Sequence, residues 1–345
     1  MYKYLATLLI IISIISSCST DVDLNADWKE TPVIYGVLEP HRDTQFIKIN
    51  KTFLGNVDAF EMAKIADSSN YPYKLDVKIE KWLNGSLVKT YFLDTITIAG
   101  MKDGVFGNEK NIVYYFPSPL LTSDAINTEA TYKLYVNNPV TGHEANSTTT
   151  IAQEVTLNKP YINFSDPQLS FYNLNGFSNI DFEWFSSKNA KIFVLYVRFN
   201  YIEYHKGQTD SVNKQFDWKI GEFTAASDNG NHKISTRING ETFYDLIADK
   251  ISIDESIGRK VGRIGALNDQ LNIMVFAAGT DLSTYIEVNA PSNSIVQDKP
   301  NFSNIGNGIG IFSSRYLKTI NNMKLKLESY NYLKSSDKTR ALNFE

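Results

Sequence analysis

The chain has 345 residues, a formal net charge of −4 and 43% hydrophobic residues. This length and composition allow two domains or one large one with a sizeable core. Because the net charge is slightly negative and the sequence has no basic stripe, we expect no nucleic-acid-binding surface. The single cysteine excludes an internal disulfide, so burial of apolar side chains has to stabilise the fold.

Residues 1–17 have the pattern of an export signal. Lys3 supplies a positive charge, an apolar run follows over 8–15, and Ser16 and Ser17 supply small residues ahead of Cys18. The apolar run is too short to cross a bilayer, so we predict a signal peptide rather than a membrane span. The alternative is a buried cysteine inside a hydrophobic segment.

The Ile-Ser-Ser-Cys run that ends at Cys18 resembles the lipobox of bacterial lipoproteins. In that family the cysteine is acylated and becomes the first mature residue. The residues after it resemble the acidic export tag that directs Bacteroidota lipoproteins to the outer face of the outer membrane; they are Ser19, Thr20, Asp21 and Asp23. The resemblance implies a lipid-anchored, surface-exposed protein, whereas the alternative for the acidic residues is a solvated tether.

Short strands are predicted throughout the first half. In 74–82 the odd-numbered positions from 75 to 79 are apolar and the even-numbered ones polar, which is the period of a half-buried strand. Asn84 and Gly85 follow, the strongest short hairpin signal, with a return strand over 87–92. Further strands are predicted over 32–38, 45–50, 111–116, 132–137 and 146–155, with a short helix or loop over 58–67.

The second half begins with two strands that resemble the B–C hairpin of fibronectin type III domains. They cover 180–184, which ends on a tryptophan, and 191–204, which is rich in aromatic residues. A helix is predicted over 239–250 from the spacing of its apolar residues, and 282–288 fits a helix or a strand. Further strands are predicted over 216–223, 232–237 and 271–277, and the tail over 318–345 mixes an alternating piece with a helical one.

These patterns predict a mainly β protein with two antiparallel β-sandwich domains of immunoglobulin or fibronectin III type and a few short helices. A boundary is expected near 160–166. The predicted segments are a lipoprotein signal peptide (1–17), a tether (18–30), an N-terminal β-sandwich (31–157) and a C-terminal fibronectin III-like β domain with helical insertions (158–345).

Several blocks of the mature chain resemble an uncharacterised family of Bacteroidota outer-membrane lipoproteins. The blocks lie at 33–38, 46–55, 67–71, 242–244 and 304–312. Members are often encoded beside outer-membrane transport or assembly components. The resemblance therefore implies an integral outer-membrane β-barrel protein as partner, and it implies no chemistry.

The sequence lacks several chemical motifs of common enzymes. The four histidines, His41, His143, His205 and His232, lack the spacing of a metal site, and the sequence has no Gly-x-Ser-x-Gly elbow. We expect no catalytic residue, no metal and no cofactor, and hence a non-enzymatic protein. A glycosidase stays open as an alternative, because a catalytic pair cannot be chosen from 38 acidic residues.

Two pairs of tyrosines are candidate carbohydrate platforms, because sugars stack on exposed aromatic faces. They are Tyr71 with Tyr73, and Tyr201 with Tyr204. The alternative is that these rings are core residues or cross-strand pairs.

Two short segments match the three-residue acceptor pattern for O-glycans in Bacteroidota. They place Thr95 after Asp94 and Ser211 after Asp210. Patterns of this length also arise by chance.

Taken together, these features predict a lipid-anchored, non-enzymatic accessory or binding subunit of an outer-membrane transport or assembly complex. The alternative is a glycan- or nutrient-binding surface lipoprotein that delivers its ligand to a TonB-dependent transporter.

Overall fold

The computed structural model describes residues 30–53, 58–98, 111–162, 165–290 and 301–345. Within these ranges the protein is mainly β, with antiparallel sheets and five short α-helices. The fold class expected from short alternating segments is thereby confirmed. Its division into two sandwiches of immunoglobulin or fibronectin III type stays a prediction.

The secondary-structure elements are numbered in chain order. The strands of the first half are β1 (Pro32–Leu38), β2 (Thr44–Lys51), β3 (Asp76–Leu83), β4 (Ser86–Phe92), β5 (Asp94–Thr97), β6 (Ile112–Pro117), β7 (Thr131–Asn137), β8 (Glu144–Thr150) and β9 (Thr156–Lys159). Those of the second half are β10 (Gln168–Leu169), β11 (Tyr172–Asn173), β12 (Gly176–Phe177), β13 (Asn179–Phe185), β14 (Ala190–His205), β15 (Ser211–Thr224), β16 (Lys233–Asn239), β17 (Ile257–Val261), β18 (Leu271–Gly279) and β19 (Ile309–Leu325). The helices are α1 (Ala59–Lys64), α2 (Ala66–Ser69), α3 (Glu241–Lys250), α4 (Thr280–Asn289) and α5 (Leu327–Ser335), with a 3₁₀ turn at Arg340–Leu342.

The strands of the described ranges assemble into four sheets. The largest has ten strands; its main order is β15-β14-β18-β19-β1-β2-β6-β5, with β17 beside β14 and β10 beside β19. A four-stranded sheet has the order β4-β3-β7-β8, a three-stranded sheet the order β16-β13-β9, and β11 pairs with β12. The ten-stranded sheet therefore contains strands from both predicted domains.

The pairing of β1 with β19 is parallel and joins the beginning of the described chain to its last long strand. It runs in register from Val33 opposite Ile309 to Leu38 opposite Ser314. Gly310 allows the two backbones to approach: its φ is +110°, and a Cβ there would lie 2.0 Å from the carbonyl oxygen of Ile34. Only glycine tolerates this combination of conformation and contact.

The hairpin of β3 and β4 agrees with its prediction. Asn84 and Gly85 have φ values of +50° and +78°, as a two-residue hairpin turn of this type requires. Val77 and Ile79 are buried, as the alternating pattern predicts. The outward side chains of β3 therefore lie on the opposite face of the four-stranded sheet.

Two buried clusters pack against the ten-stranded sheet. In the first, Ile34 and Ile47 of that sheet meet Ile79, Tyr132 and Leu134 of the four-stranded sheet. Such sheet-on-sheet contact buries one face of each sheet and leaves the other open.

The second cluster lies farther along the same sheet. Trp184 of β13 packs with Phe193 of β14 and with Phe243 of α3, and Phe171 stacks on Phe243 with 3.9 Å between ring centroids. The helix predicted over 239–250 is confirmed as α3, and the undecided segment 282–288 is helical, within α4.

One strand prediction needs correction. The strand predicted over 146–155 ends at Thr150, because the Ala152 amide donates a 2.9 Å hydrogen bond to the Oγ of Ser314 rather than extending the ladder. A turn at Asn307, which has a positive φ, precedes β19.

We expect Gly310→Ala to lower the free energy of unfolding by about 3 kcal/mol or more, because alanine is strained at this positive φ and its Cβ would collide with the carbonyl oxygen of Ile34. Gly207→Ala is the matched control. Gly207 also has a positive φ, of +85°, but nothing lies within 4 Å of its Cβ position. The control should cost about 1 kcal/mol. Urea unfolding of both variants makes the comparison, and equal losses would contradict a tight β1–β19 contact.

Candidate functional site

A cleft of about 650 Å³ lies on the four-stranded sheet. Its walls come from the first half of β3, the end of β4, the end of β7 and the beginning of β8. The volume falls within the range of roughly 300–1,000 Å³ that is typical of small-molecule sites. The inner face of the same sheet is buried, so the outward side chains are the ones that a ligand can contact.

One row of outward side chains crosses all four strands of the cleft. The register places Phe92 of β4 opposite Lys78 of β3, Lys78 opposite Tyr135 of β7, and Tyr135 opposite Asn146 of β8. Directly paired residues of neighbouring strands lie on the same face of a sheet. Phe92 is 79% exposed, which is unusual for a phenylalanine ring.

A second row lies beside the first. Asp76 of β3 is opposite Asn137 of β7, which is opposite Glu144 of β8. The side-chain amide of Asn137 donates a 3.4 Å hydrogen bond to the carboxylate of Asp76. The cleft therefore offers an apolar ring next to carboxylate and amide groups.

The carboxylate of Glu80 lies beside the cleft and holds two neighbouring side chains by hydrogen bonds. It accepts hydrogen bonds from the Lys78 ammonium (2.9 Å) and from the indole N–H of Trp82 (3.0 Å). The hydrogen bond from Lys78 lowers the pKa of Glu80; burial opposes this shift and the hydrogen bond from Trp82 adds to it. The same hydrogen bond raises the pKa of Lys78. Both groups are thus charged at neutral pH. The sequence pattern predicts Glu80 on the solvated face, but the structure buries it.

Two aromatic rings near the cleft are in contact with lysine ammonium groups. The Lys78 ammonium lies 4.7 Å from the ring centroid of Tyr135, and that of Lys133 lies 4.0 Å from the ring centroid of Trp82. These are favourable cation–π contacts. These contacts help to hold the rings of Tyr135 and Trp82 in place. Phe92 is the more exposed of the two rings in the first row.

A smaller pocket of about 160 Å³ adjoins the cleft and contains the first predicted tyrosine pair. Tyr71 and Tyr73 both line it, with 6.2 Å between their ring centroids, and Lys74 lines both pocket and cleft. Both tyrosine rings are partly exposed. The structure therefore brings together the two tyrosines that the sequence proposed as a platform.

Glu30 connects this tyrosine pocket to the beginning of the described chain. Its carboxylate accepts a 2.6 Å hydrogen bond from the side-chain amide of Asn138, and that amide also donates to the hydroxyl of Tyr73 at 3.1 Å. Burial, and then a hydrogen bond to Glu30, raise the pKa of Tyr71 well above its usual value. Glu30 is the last residue of the predicted tether, so the tether ends at this pocket.

The second predicted pair, Tyr201 and Tyr204, has a different setting. Tyr201 is only 8% exposed and packs with Phe199 and Phe344 in the second cluster, so its burial argues against a sugar platform. The ring of Tyr204 lies against Gly258, where a Cβ would come within 2.5 Å of it. Burial and the nearby charge of Glu345 raise the pKa of Tyr204 to about 12.

The two candidate O-glycan acceptors lie at strand ends and are partly exposed. Thr95 belongs to β5 and lines the tyrosine pocket. Ser211 begins β15, opposite Tyr204. Their modification stays a prediction.

The candidate lipidation and export residues, Cys18, Ser19, Thr20, Asp21 and Asp23, lie outside the described residues. Within the described ranges, His, Cys, Asp and Glu side chains form no group of three that could hold a metal ion. Those ranges also contain no helix that is long and apolar enough to span a bilayer.

Comparisons with known proteins give no family. No protein-family model matches the chain, and no curated protein matches it.

Sequence reasoning missed the row that contains Phe92 and Tyr135. The Asn84-Gly85 turn specifies the partners of β3 only next to the turn, because a β-bulge at Lys81 and Trp82 shifts the register by one residue and brings Phe92 opposite Lys78. The register of β7 and β8 against that hairpin depends on contacts between residues far apart in sequence, and a single sequence does not reveal it.

We expect Glu80→Gln to remove part of the acid sensitivity of folding. Because the folded pKa of Glu80 is lowered, its carboxylate stabilises the protein above the unfolded pKa of about 4.3, and this contribution is lost as the pH falls through the lower folded value. Urea unfolding at several pH values should show the variant less stable than wild type at pH 7, with the gap closing in acid. Glu61→Gln, in an exposed ion pair, is the control and should follow wild type. A gap that stays constant down to the lowest pH would contradict the charged pair.

Proposed function

We propose that this chain is a lipid-anchored, non-enzymatic accessory subunit on the surface of the outer membrane. Its partner in transport or assembly is an integral outer-membrane β-barrel protein. The anchor is Cys18, and the acidic residues after it supply the export signal.

The position of the cleft relative to the predicted anchor carries this proposal. Glu30 is held at the tyrosine pocket by Asn138, and Lys74 belongs to both pocket and cleft. Cys18 precedes Glu30 by 12 positions, and an extended chain spans at most about 3.6 Å per residue, so an acyl anchor lies at most about 43 Å from Glu30. In this proposal, the end of the protein that bears the cleft and the tyrosine pocket is the end tied to the membrane.

The electrostatics of Glu80 do not suit it to act as the acid of a glycosidase. A glycosidase needs a carboxylic acid whose pKa is raised, so that it can donate a proton. Glu80, the buried carboxylate beside the cleft, is instead held in its charged form by Lys78 and Trp82.

The fold that we propose for each half is a sandwich of immunoglobulin or fibronectin III type. Two separate buried clusters, each between the ten-stranded sheet and a smaller sheet, support this view.

A second function is favoured by the aromatic lining of the cleft and pocket. In this alternative the chain is a glycan- or nutrient-binding surface lipoprotein that delivers its ligand to a TonB-dependent transporter. The two functions are compatible, because a carrier that passes ligand to a barrel is also its subunit.

A photo-crosslinker at Val140 tests the accessory role in intact cells. Val140 is 69% exposed and lies next to Asn138 and Glu30, at the anchored end. We expect ultraviolet light to join it to an integral outer-membrane protein, identified by mass spectrometry of detergent-solubilised membranes.

Two matched controls sharpen this experiment. A crosslinker at Leu174, which is 93% exposed on the turn between β11 and β12, should give no such product. The Val140 product should also disappear in a Cys18→Ser background, because the anchor is lost. Equal products from Val140 and Leu174, or none from either, would contradict the proposal.

A further inference from the structure

We propose that the cleft on the four-stranded sheet is a binding site for a neutral oligosaccharide. Phe92 supplies the stacking surface, and Asp76, Asn137 and Glu144 supply hydrogen-bonding partners for sugar hydroxyls. This inference deepens the second function above and rests on it.

The shape of the site matches a chain of sugars better than a single ring. The row from Phe92 to Asn146 crosses four strands. With about 4.8 Å between neighbouring strands, it extends over about 14 Å. The volume of about 650 Å³ lies above this row, so several sugar units can contact it at once.

The exposed ring of Phe92 indicates what the ligand must offer. Covering an aromatic ring that is 79% exposed with an apolar surface lowers the free energy, because both surfaces are removed from water. The C–H faces of a pyranose ring provide such a surface and leave the hydroxyls at its rim. Tyr135 lies in the same row, two strands from Phe92, and its ring is already in contact with the Lys78 ammonium, so Phe92 is the main stacking surface.

The second row supplies the polar half of sugar recognition. Asp76 and Glu144 are exposed, and Asn137 between them is partly exposed. Carboxylate and amide oxygens accept hydrogen bonds from hydroxyl groups, and the amide of Asn137 can also donate. Among the described residues, the carboxylate of Glu144 takes part in no ion pair.

The charges favour a neutral ligand over an anionic one. Two lysines and two carboxylates line the cleft: Lys74, Lys78, Asp76 and Glu144. Both lysines are already paired, Lys74 with Asp94 at 2.7 Å and Lys78 with Glu80 at 2.9 Å. A sulfated or uronic-acid polymer would therefore find both lysines already in ion pairs and would be repelled by the exposed carboxylates.

Calorimetric titration of the purified full chain with neutral hexasaccharides tests the site. The probes are cello-, malto-, xylo- and mannohexaose, with a sulfated hexasaccharide as the anionic comparator. We expect at least one neutral probe to bind, and Phe92→Ala to weaken its affinity at least about tenfold. Because Phe92 is exposed, this variant should keep the melting temperature of wild type.

Tyr161→Ala is the matched control, because Tyr161 is 80% exposed and does not line the cleft. It should leave the affinity within about twofold of wild type. Asn137→Ala should also weaken binding, which places the ligand over both rows.

Three results would overturn the inference. They are the absence of binding by every neutral probe, preference for the sulfated probe, or binding that Tyr71→Ala abolishes and Phe92→Ala leaves intact. The last result would move the site to the tyrosine pocket and keep the glycan function. None of these results depends on the Val140 crosslink, so the accessory role and the cleft are tested separately.

Discussion

The parallel pairing of β1 with β19 is the interaction on which the rest of the molecule depends. It brings Val33 opposite Ile309 and so closes a loop of most of the described chain. Closing so long a loop costs conformational entropy, although the cost grows only slowly with length. The close approach at Gly310 and the two buried clusters on one sheet offset that cost.

The same pairing places the cleft. Because β1 and β2 cover the inner face of the four-stranded sheet, the outer face is left to solvent with Phe92, Lys78 and Tyr135 in one row. The tyrosine pocket adjoins this face, and Glu30 ties both to the beginning of the described chain. With the proposed lipid anchor at Cys18, these surfaces would lie at the tethered end, as the proposed membrane partner requires.

Local features of the fold could be predicted from the sequence, and distant ones could not. The β3–β4 hairpin follows from the alternation of Val77 and Ile79 and from the positive φ that Asn84 and Gly85 tolerate. Only the second half of the long strand β19 is anticipated, by the alternating piece of the tail after 318, whereas its first half is defined by pairing with β1. Short-range patterns carry no information about such neighbours.

The candidate site shows the same limit. Tyr71 and Tyr73 are close in sequence, and their shared pocket follows the prediction. Tyr201 is also an aromatic residue of a predicted pair, yet its ring packs in the core with Phe344, near the end of the chain. Glu80 was assigned to solvent by alternation alone, whereas Lys78 and Trp82 make its burial tolerable through ionic and hydrogen-bonding contacts.

Native-state hydrogen exchange measures most directly whether β1 and β19 hold the molecule together. If they do, their amides exchange only through the opening that also exposes β7 in the first cluster and β18 in the second, with one common free energy. If β1 and β19 instead exchange through a local opening far below that of β7 and β18, the two halves are stable without this pairing, and its central role is contradicted.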